Sequence, residues 1–237
     1  MNLPLSPSAP HDDAFEQARF NMIAQQIRPW EVYDAQTLAA LGRVRREDFV
    51  PPAYRSLAFM DVEIPLRGNA EVALRTGEYM LSPKVEARLL QDLQITRNER
   101  VLEIGTGSGF MAALLAQVAD QVVGLEIEPE LALMAQDNLA RAGIQNAAVR
   151  VADGASGLVP DGPFDVILLS GSVAAVPPEL LALLRDGGRL AAIVRRVAQH
   201  ETPSLFLARH FGRAELQDGV LDAVQSFELH LHKRAPV

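Results

Sequence analysis

Cysteine is absent from the chain, which excludes disulfides, thiolate metal sites and a cysteine nucleophile together. There is also no basic run. The formal net charge is −8, and broad binding to a phosphate backbone needs clustered Lys and Arg, so no nucleic-acid partner is expected. No apolar stretch reaches the roughly 20 residues of a membrane-spanning helix, and none is therefore assigned to a membrane. Residues 1–14 are rich in Pro and Ser, with no apolar core of signal-peptide length. They read as a disordered lead-in, and the expected setting is the cytoplasm. No internal repeat or linker divides the rest of the chain. His230 and His232 would share one face of a strand, but no third ligand accompanies them and no metal site is assigned. Ser170-Gly171-Ser172 is not a G-x-S-x-G elbow and has no histidine partner.

What remains is ordinary for a globular protein: 237 residues, 49% hydrophobic and 22% charged, enough for one domain with a good core. The first third reads as helical. Phe15 to Ile27 carries Phe20, Ile23 and Ile27 at helical spacing, and Arg28-Pro29 stops it. Trp30 comes directly after and reads as an anchor of these helices to the core. Asp34 is an N-cap candidate for a helix bearing Leu38, Leu41 and Val44. Leu57 to Tyr79 reads as irregular, with a short strand at Val62–Leu66. Ser82-Pro83 then starts a helix with Val85, Leu89, Leu90 and Leu93 as its buried stripe.

Beyond Asn98 strands and helices alternate. Strands are expected at Val101–Ile104, Val122–Glu126, Ala147–Val151, Phe164–Leu169 and, after a Gly187-Gly188 turn, Leu190–Val194. Helices are expected at Phe110–Val118, Pro129–Ala142 and Pro178–Leu184, and two further strands at Leu205–His210 and Ser226–Leu231. That alternation predicts a doubly wound, mostly parallel seven-stranded α/β sheet. The expected organisation is a single domain over 15–237, with an N-terminal extension at 15–97 and a ligand-binding core at 98–237.

The densest signal is Val101-Leu-Glu-Ile-Gly-Thr-Gly-Ser-Gly-Phe110. Three glycines alternate with small polar residues between a strand and a helix, so backbone N–H groups can approach a ligand closely. A dinucleotide fingerprint, G-x-G-x-x-G, would require glycine where Phe110 stands. The pattern E-x-G-x-G-x-G instead resembles motif I of the S-adenosylmethionine (SAM) methyltransferases. Three acids fall in order at successive strand ends. Glu103 would face the methionine half of SAM, Glu126 the ribose hydroxyls, and Asp153, with Gly154, the adenine amino group. Gly105, Thr106, Gly107, Ser108 and Gly109 form the loop, Ile127 adjoins Glu126, and Ser170 borders the methyl-transfer position.

Gln25-Gln-Ile-Arg-Pro29 and Val44-Arg-Arg-Glu-Asp-Phe-Val-Pro-Pro52, read with the glycine loop and Ala152-Asp153-Gly154, resemble the protein-L-isoaspartate O-methyltransferase family. The resemblance runs from about Phe15 to Val194. It implies SAM as cofactor and isoaspartyl carboxylates of damaged proteins or peptides as acceptors. The ester so formed collapses to a succinimide that can reopen to aspartate. It also implies little need for a base, because a carboxylate with a pKa of about 4 is already ionised at neutral pH. Alignment of acceptor oxygen, methyl carbon and sulfur would carry the rate.

The family's substrate loop reads G-Q-T-I-S-x-P. Here the segment is Gly77-Glu-Tyr-Met-Leu-Ser-Pro83, so Tyr79 and Leu81 replace two hydroxyl residues, Pro83 is kept, and extra residues stand near 67–76. Either Ser82 and Tyr79 supply the missing hydroxyls, or the acceptor is another protein side chain or a small molecule. A SAM-binding module without turnover is the third reading. Ser82 also reads as a plain helix N-cap, and Tyr79 as a packing residue.

Overall fold

A computed structural model describes residues 10–156, 159, 161–194, 204–209 and 227–228. His230, His232 and most of the expected strand Ser226–Leu231 lie outside these residues, as does the lead-in up to residue 9.

Helix α1 spans Pro10–Met22, starting earlier than the expected Phe15. Proline suits a first helical position, and nothing between Pro10 and Phe15 breaks a helix. A wide π turn, Ile23–Ile27, and one 3-10 turn, Arg28–Trp30, continue it. The wide turn changes which residues face inward: Met22 and Ile27 are buried, while Phe20 is 66% exposed. Helix α2 (Ala35–Arg43) is capped as expected, the Asp34 carboxylate accepting from the Thr37 N–H at 2.7 Å. Strands β1 (Ile64–Pro65) and β2 (Tyr79–Met80) pair antiparallel. Between them lies a helix not expected from the sequence, α3 (Ala70–Thr76), with an Asn69 cap and Gly77 at its end. Helix α4 (Pro83–Leu93) buries Val85, Leu89, Leu90 and Leu93.

The core then alternates: β3 (Arg100–Ile104), α5 (Phe110–Ala116), β4 (Gln121–Glu126), α6 (Pro129–Arg141), β5 (Ala147–Val151), β6 (Phe164–Val173), α7 (Pro178–Leu181), β7 (Leu184–Val194), β8 (Ser204–Arg209) and β9 (Phe227–Glu228). The sheet order is β5-β4-β3-β6-β7-β8-β9, with the first five strands parallel and the last two antiparallel. Strand β7 begins before the two glycines, where a turn was expected. A register shift against β6 absorbs them as an irregularity, with Gly187 at φ +78°.

Alternate residues of each strand face opposite layers. Val101, Val122, Val149 and Val166 join α4, α5, α6 and the N-terminal helices in one apolar cluster. Leu102, Val123, Ile167 and Leu190 join Leu180 in the other. The N-terminal extension therefore shares the core of the sheet's first face. Trp30 packs there, with the Lys84 ammonium 4.2 Å from its ring centre. Among the described residues no helix is long and apolar enough to cross a membrane.

Candidate cofactor site and acceptor loop

Strand β3 has β4 on one side and β6 on the other, so the chain leaves it in one direction and later returns on the opposite side. The crevice beyond the strand ends at such a point is where open α/β sheets bind ligands. The glycine loop occupies it. Gly105 has φ +81°, and a Cβ there would stand 2.9 Å from the Gly171 nitrogen, so only glycine lets this loop lie against the end of β6. Its N–H donates to the Leu125 carbonyl at 2.8 Å. The Thr106 hydroxyl reaches the same carbonyl at 3.4 Å, and the Ser108 carbonyl accepts from Asn138 at 2.8 Å. The Gly109 N–H closes the loop onto the Thr106 carbonyl.

Two of the three acids bear directly on this loop. The Glu126 carboxylate accepts from the Gly107 N–H at 2.8 Å and the Glu128 N–H at 3.1 Å. Glu103 is wholly buried; its Oε1 accepts from the Ser170 hydroxyl at 2.7 Å, and its Oε2 has no partner. Burial, reinforced by the charges of Glu86 and Glu126, pushes its carboxyl up to about 8 against the pull of the Ser170 and Thr106 hydrogen bonds. Asp153 lies one strand further out. It is exposed, and its Oδ1 accepts from the Ala155 N–H at 3.0 Å. A Cβ on Gly154 would meet the Ile104 side chain at 2.8 Å, so the backbone after β5 hugs β3. Ile127 stands 60% exposed beside Glu126.

The acceptor segment is less free than its sequence implies. The Tyr79 hydroxyl donates to the Ala70 carbonyl at 3.2 Å and thus pins α3. Leu81 packs on the core, and its carbonyl accepts from Arg46 at 2.6 Å. Ser82 has the backbone geometry of an N-cap but makes no capping bond, which corrects the reading of its hydroxyl as a cap. That hydroxyl is buried without a partner. Pro83 opens α4, as expected.

Arg46 was missed at the level of sequence. It is 1% exposed, pairs with the Glu86 carboxylate, donates to the Ala58 carbonyl at 2.9 Å, and stacks 4.8 Å over the Phe110 ring. Burial pushes Glu86 up to about 7, with the Arg46 charge opposing. The available signal was Glu86 itself, a charge next to Val85 on a buried stripe. Cavities of about 200 and 240 Å³ open elsewhere, one beside Thr37 and Leu90 and one beside Phe49 and Met134. Neither is lined by the glycine loop or the three acids, so donor chemistry and not depth marks the site. Among the described residues no cluster of three metal-ligating side chains occurs.

Residues 17–215 match the protein-L-isoaspartate(D-aspartate) O-methyltransferase family. The chain belongs to that family. A protein-L-isoaspartate O-methyltransferase of Koribacter versatilis is 35% identical over 202 residues, 85% of this chain and 86% of that one. One from Methanoculleus marisnigri is 37% identical over 182 residues, 77% and 79% of the two chains. A solved protein-L-isoaspartate O-methyltransferase superposes with a TM-score of 0.68 at 24% identity, covering 83% of this chain and 60% of that one. A Plasmodium falciparum structure in complex with S-adenosyl-L-homocysteine gives 0.63 at 17% identity, covering 84% and 90%. At those identities the structures attest the fold. Membership makes the chain a SAM-dependent methyltransferase of the isoaspartate family.

The residues present fit that cofactor. Glu103 offers a buried carboxylate oxygen with no protein partner, suited to a cationic ligand group. Ile127 and Asp153 offer an exposed apolar side chain and an exposed carboxylate at neighbouring strand ends, suited to the face and the amino edge of a purine.

Proposed function

We propose that the chain methylates the carboxylate of isoaspartyl residues in peptides and proteins, with the Ser82 hydroxyl taking over from the hydroxyl lost at Leu81. Bound SAM supplies an electrophilic methyl group on a sulfonium. Glu103 and the loop Gly105–Gly109 hold its methionine half, with Ser170 orienting the Glu103 carboxylate. Glu126 keeps lone pairs free for the ribose hydroxyls, since a carboxylate has about four acceptor sites and two are used. Ile127 lies along the adenine, and Asp153 with Gly154 takes its amino group. No general base is assigned, because the acceptor is ionised at neutral pH; orientation and water exclusion carry the rate.

The observation behind the acceptor reading is the buried, unpartnered Ser82 hydroxyl at the start of α4. A buried hydroxyl left unpaired costs about 1–3 kcal/mol, a cost an acceptor carboxylate would relieve. Ser82→Ala should lower kcat/KM for an isoaspartyl peptide about tenfold, the loss of one hydrogen bond to a charged group, with SAM affinity unchanged in calorimetry. Unchanged kinetics would remove Ser82 from the site. A second reading, a different acceptor, is favoured by Leu81 and by the Tyr79 hydroxyl being committed to Ala70. It predicts SAM binding without transfer to that peptide.

A further inference from the structure

Arg67 begins the segment that bulges between β1 and β2, and its guanidinium meets three carboxylates. Its Nε donates to Glu78 at 2.8 Å, and its Nη2 pairs with the other oxygen of Glu78. Nη2 also reaches Glu128 at 3.1 Å, and Nη1 reaches Glu130 at 2.6 Å. Glu78 lies in the acceptor segment, one residue before Tyr79. Glu128 lies at the cofactor edge, where its N–H holds the Glu126 carboxylate. The neighbouring Leu66 side chain sits over the glycine loop, its Cδ1 3.0 Å from where a Cβ on Gly107 would be. One cation thus joins the two halves of the site.

We propose that Arg67 is a positioning residue that holds the acceptor segment in register with the cofactor edge. The acceptor half of this statement rests on the proposed function. The two grips differ in strength. Glu78 is bound by two parallel bonds and its side chain is 11% exposed, whereas Glu128 and Glu130 are 45% and 77% exposed. Bidentate, sheltered pairs are strong and exposed ones weak and salt-sensitive. Arg67 therefore stays with the acceptor segment, and the grip on Glu128 and Glu130 is the one that lets go. Without Arg67, three like charges face one another and drive the two halves apart. The Arg67 pairing also holds the Glu78 carboxyl below its usual range, so this acid stays charged at neutral pH.

The test is a cycle in the full chain: Arg67→Ala, Arg67→Lys, the pair Glu128→Gln with Glu130→Gln, and Arg67→Ala combined with that pair. SAM affinity is read by calorimetry, KM and kcat with an isoaspartyl peptide, and folding by thermal midpoint. Arg67→Ala should weaken SAM binding and raise peptide KM each about tenfold, at the low end of site-to-site couplings, with kcat at saturation less affected. Lysine, lacking the fork, should recover only part. In the Gln pair, Arg67→Ala should weaken SAM binding no further, while still raising peptide KM through Glu78. Unchanged SAM affinity in Arg67→Ala, or full additivity with the Gln pair, would overturn the proposal. So would a lowered midpoint with both affinities intact, the mark of a merely structural ion pair. Should the parent chain turn over no isoaspartyl peptide, the acceptor reading fails while the SAM cycle still decides the role of Arg67.

Discussion

Glu103 holds its carboxyl wholly out of solvent. Its folded pKa of about 8 lies above the ordinary 4.5, so the protonated form is the stable one in the free protein at neutral pH. Relative to the charged form, its contribution to stability is full below about 4.5 and is lost as pH rises through about 8. A cationic ligand beside Oε2 reverses the preference, so SAM binding should release a proton and tighten as pH rises toward 8. Calorimetry in two buffers of different ionisation enthalpy reads that proton, and Glu103→Gln should abolish it; binding with no proton released would contradict the assignment. At Gly105 an added Cβ meets the Gly171 nitrogen at φ +81°, so Gly105→Ala should cost about 1–3 kcal/mol of backbone strain, seen as a lowered midpoint and weakened SAM binding. Arg46→Ala leaves Glu86 buried and unpaired and should cost about 3–5 kcal/mol in denaturant unfolding. The positions of Glu103, Glu126 and Asp153 at or just beyond the ends of three successive strands were legible in the sequence, because each acid closes or follows a short apolar run. The pairing of Arg46 with Glu86, 40 residues away, and that of Arg67 with Glu128 and Glu130, 61 and 63 residues away, were not, because spacing says nothing about which distant charges meet.

Among the elements, the alternating core was readable because each strand and helix carries its own apolar period, and β5 fell at its expected bounds. Helix α3 was not readable, because of its seven residues only Ala73 is buried and Leu74 is 78% exposed; it has no apolar stripe to detect. Its ends hold it instead. The Asn69 side chain accepts from the Val72 N–H at 3.0 Å, and Tyr79 ties its first turn. Asn69→Ala should cost about 1 kcal/mol, confined to this helix and visible as faster amide exchange at Val72 to Thr76. The same anchoring changes the expected outcome of restoring the family's hydroxyl at this site. Tyr79→Thr would free α3 before it served an acceptor, so it should not raise activity by itself.

At the scale of the whole molecule, the sheet order decides which distant residues meet. Strand β3 lies between β4 and β6, bringing Glu103, Ser170, Gly107 and Glu126 to one crevice although they are far apart in the chain. The parallel class was foreseeable from alternation, whereas the antiparallel return through β8 and β9 was not, since short apolar runs carry no direction. The N-terminal helices complete the molecule by packing on the same face as α4 to α6, and Arg46 fixes the acceptor segment from that side. The most direct test of isoaspartyl methylation incubates the chain with methyl-labelled SAM and two peptides that differ only in an isoaspartyl or aspartyl linkage. Base-labile label is expected on the isoaspartyl peptide and none on its normal counterpart. SAM binding in calorimetry with no label on either peptide would contradict that assignment.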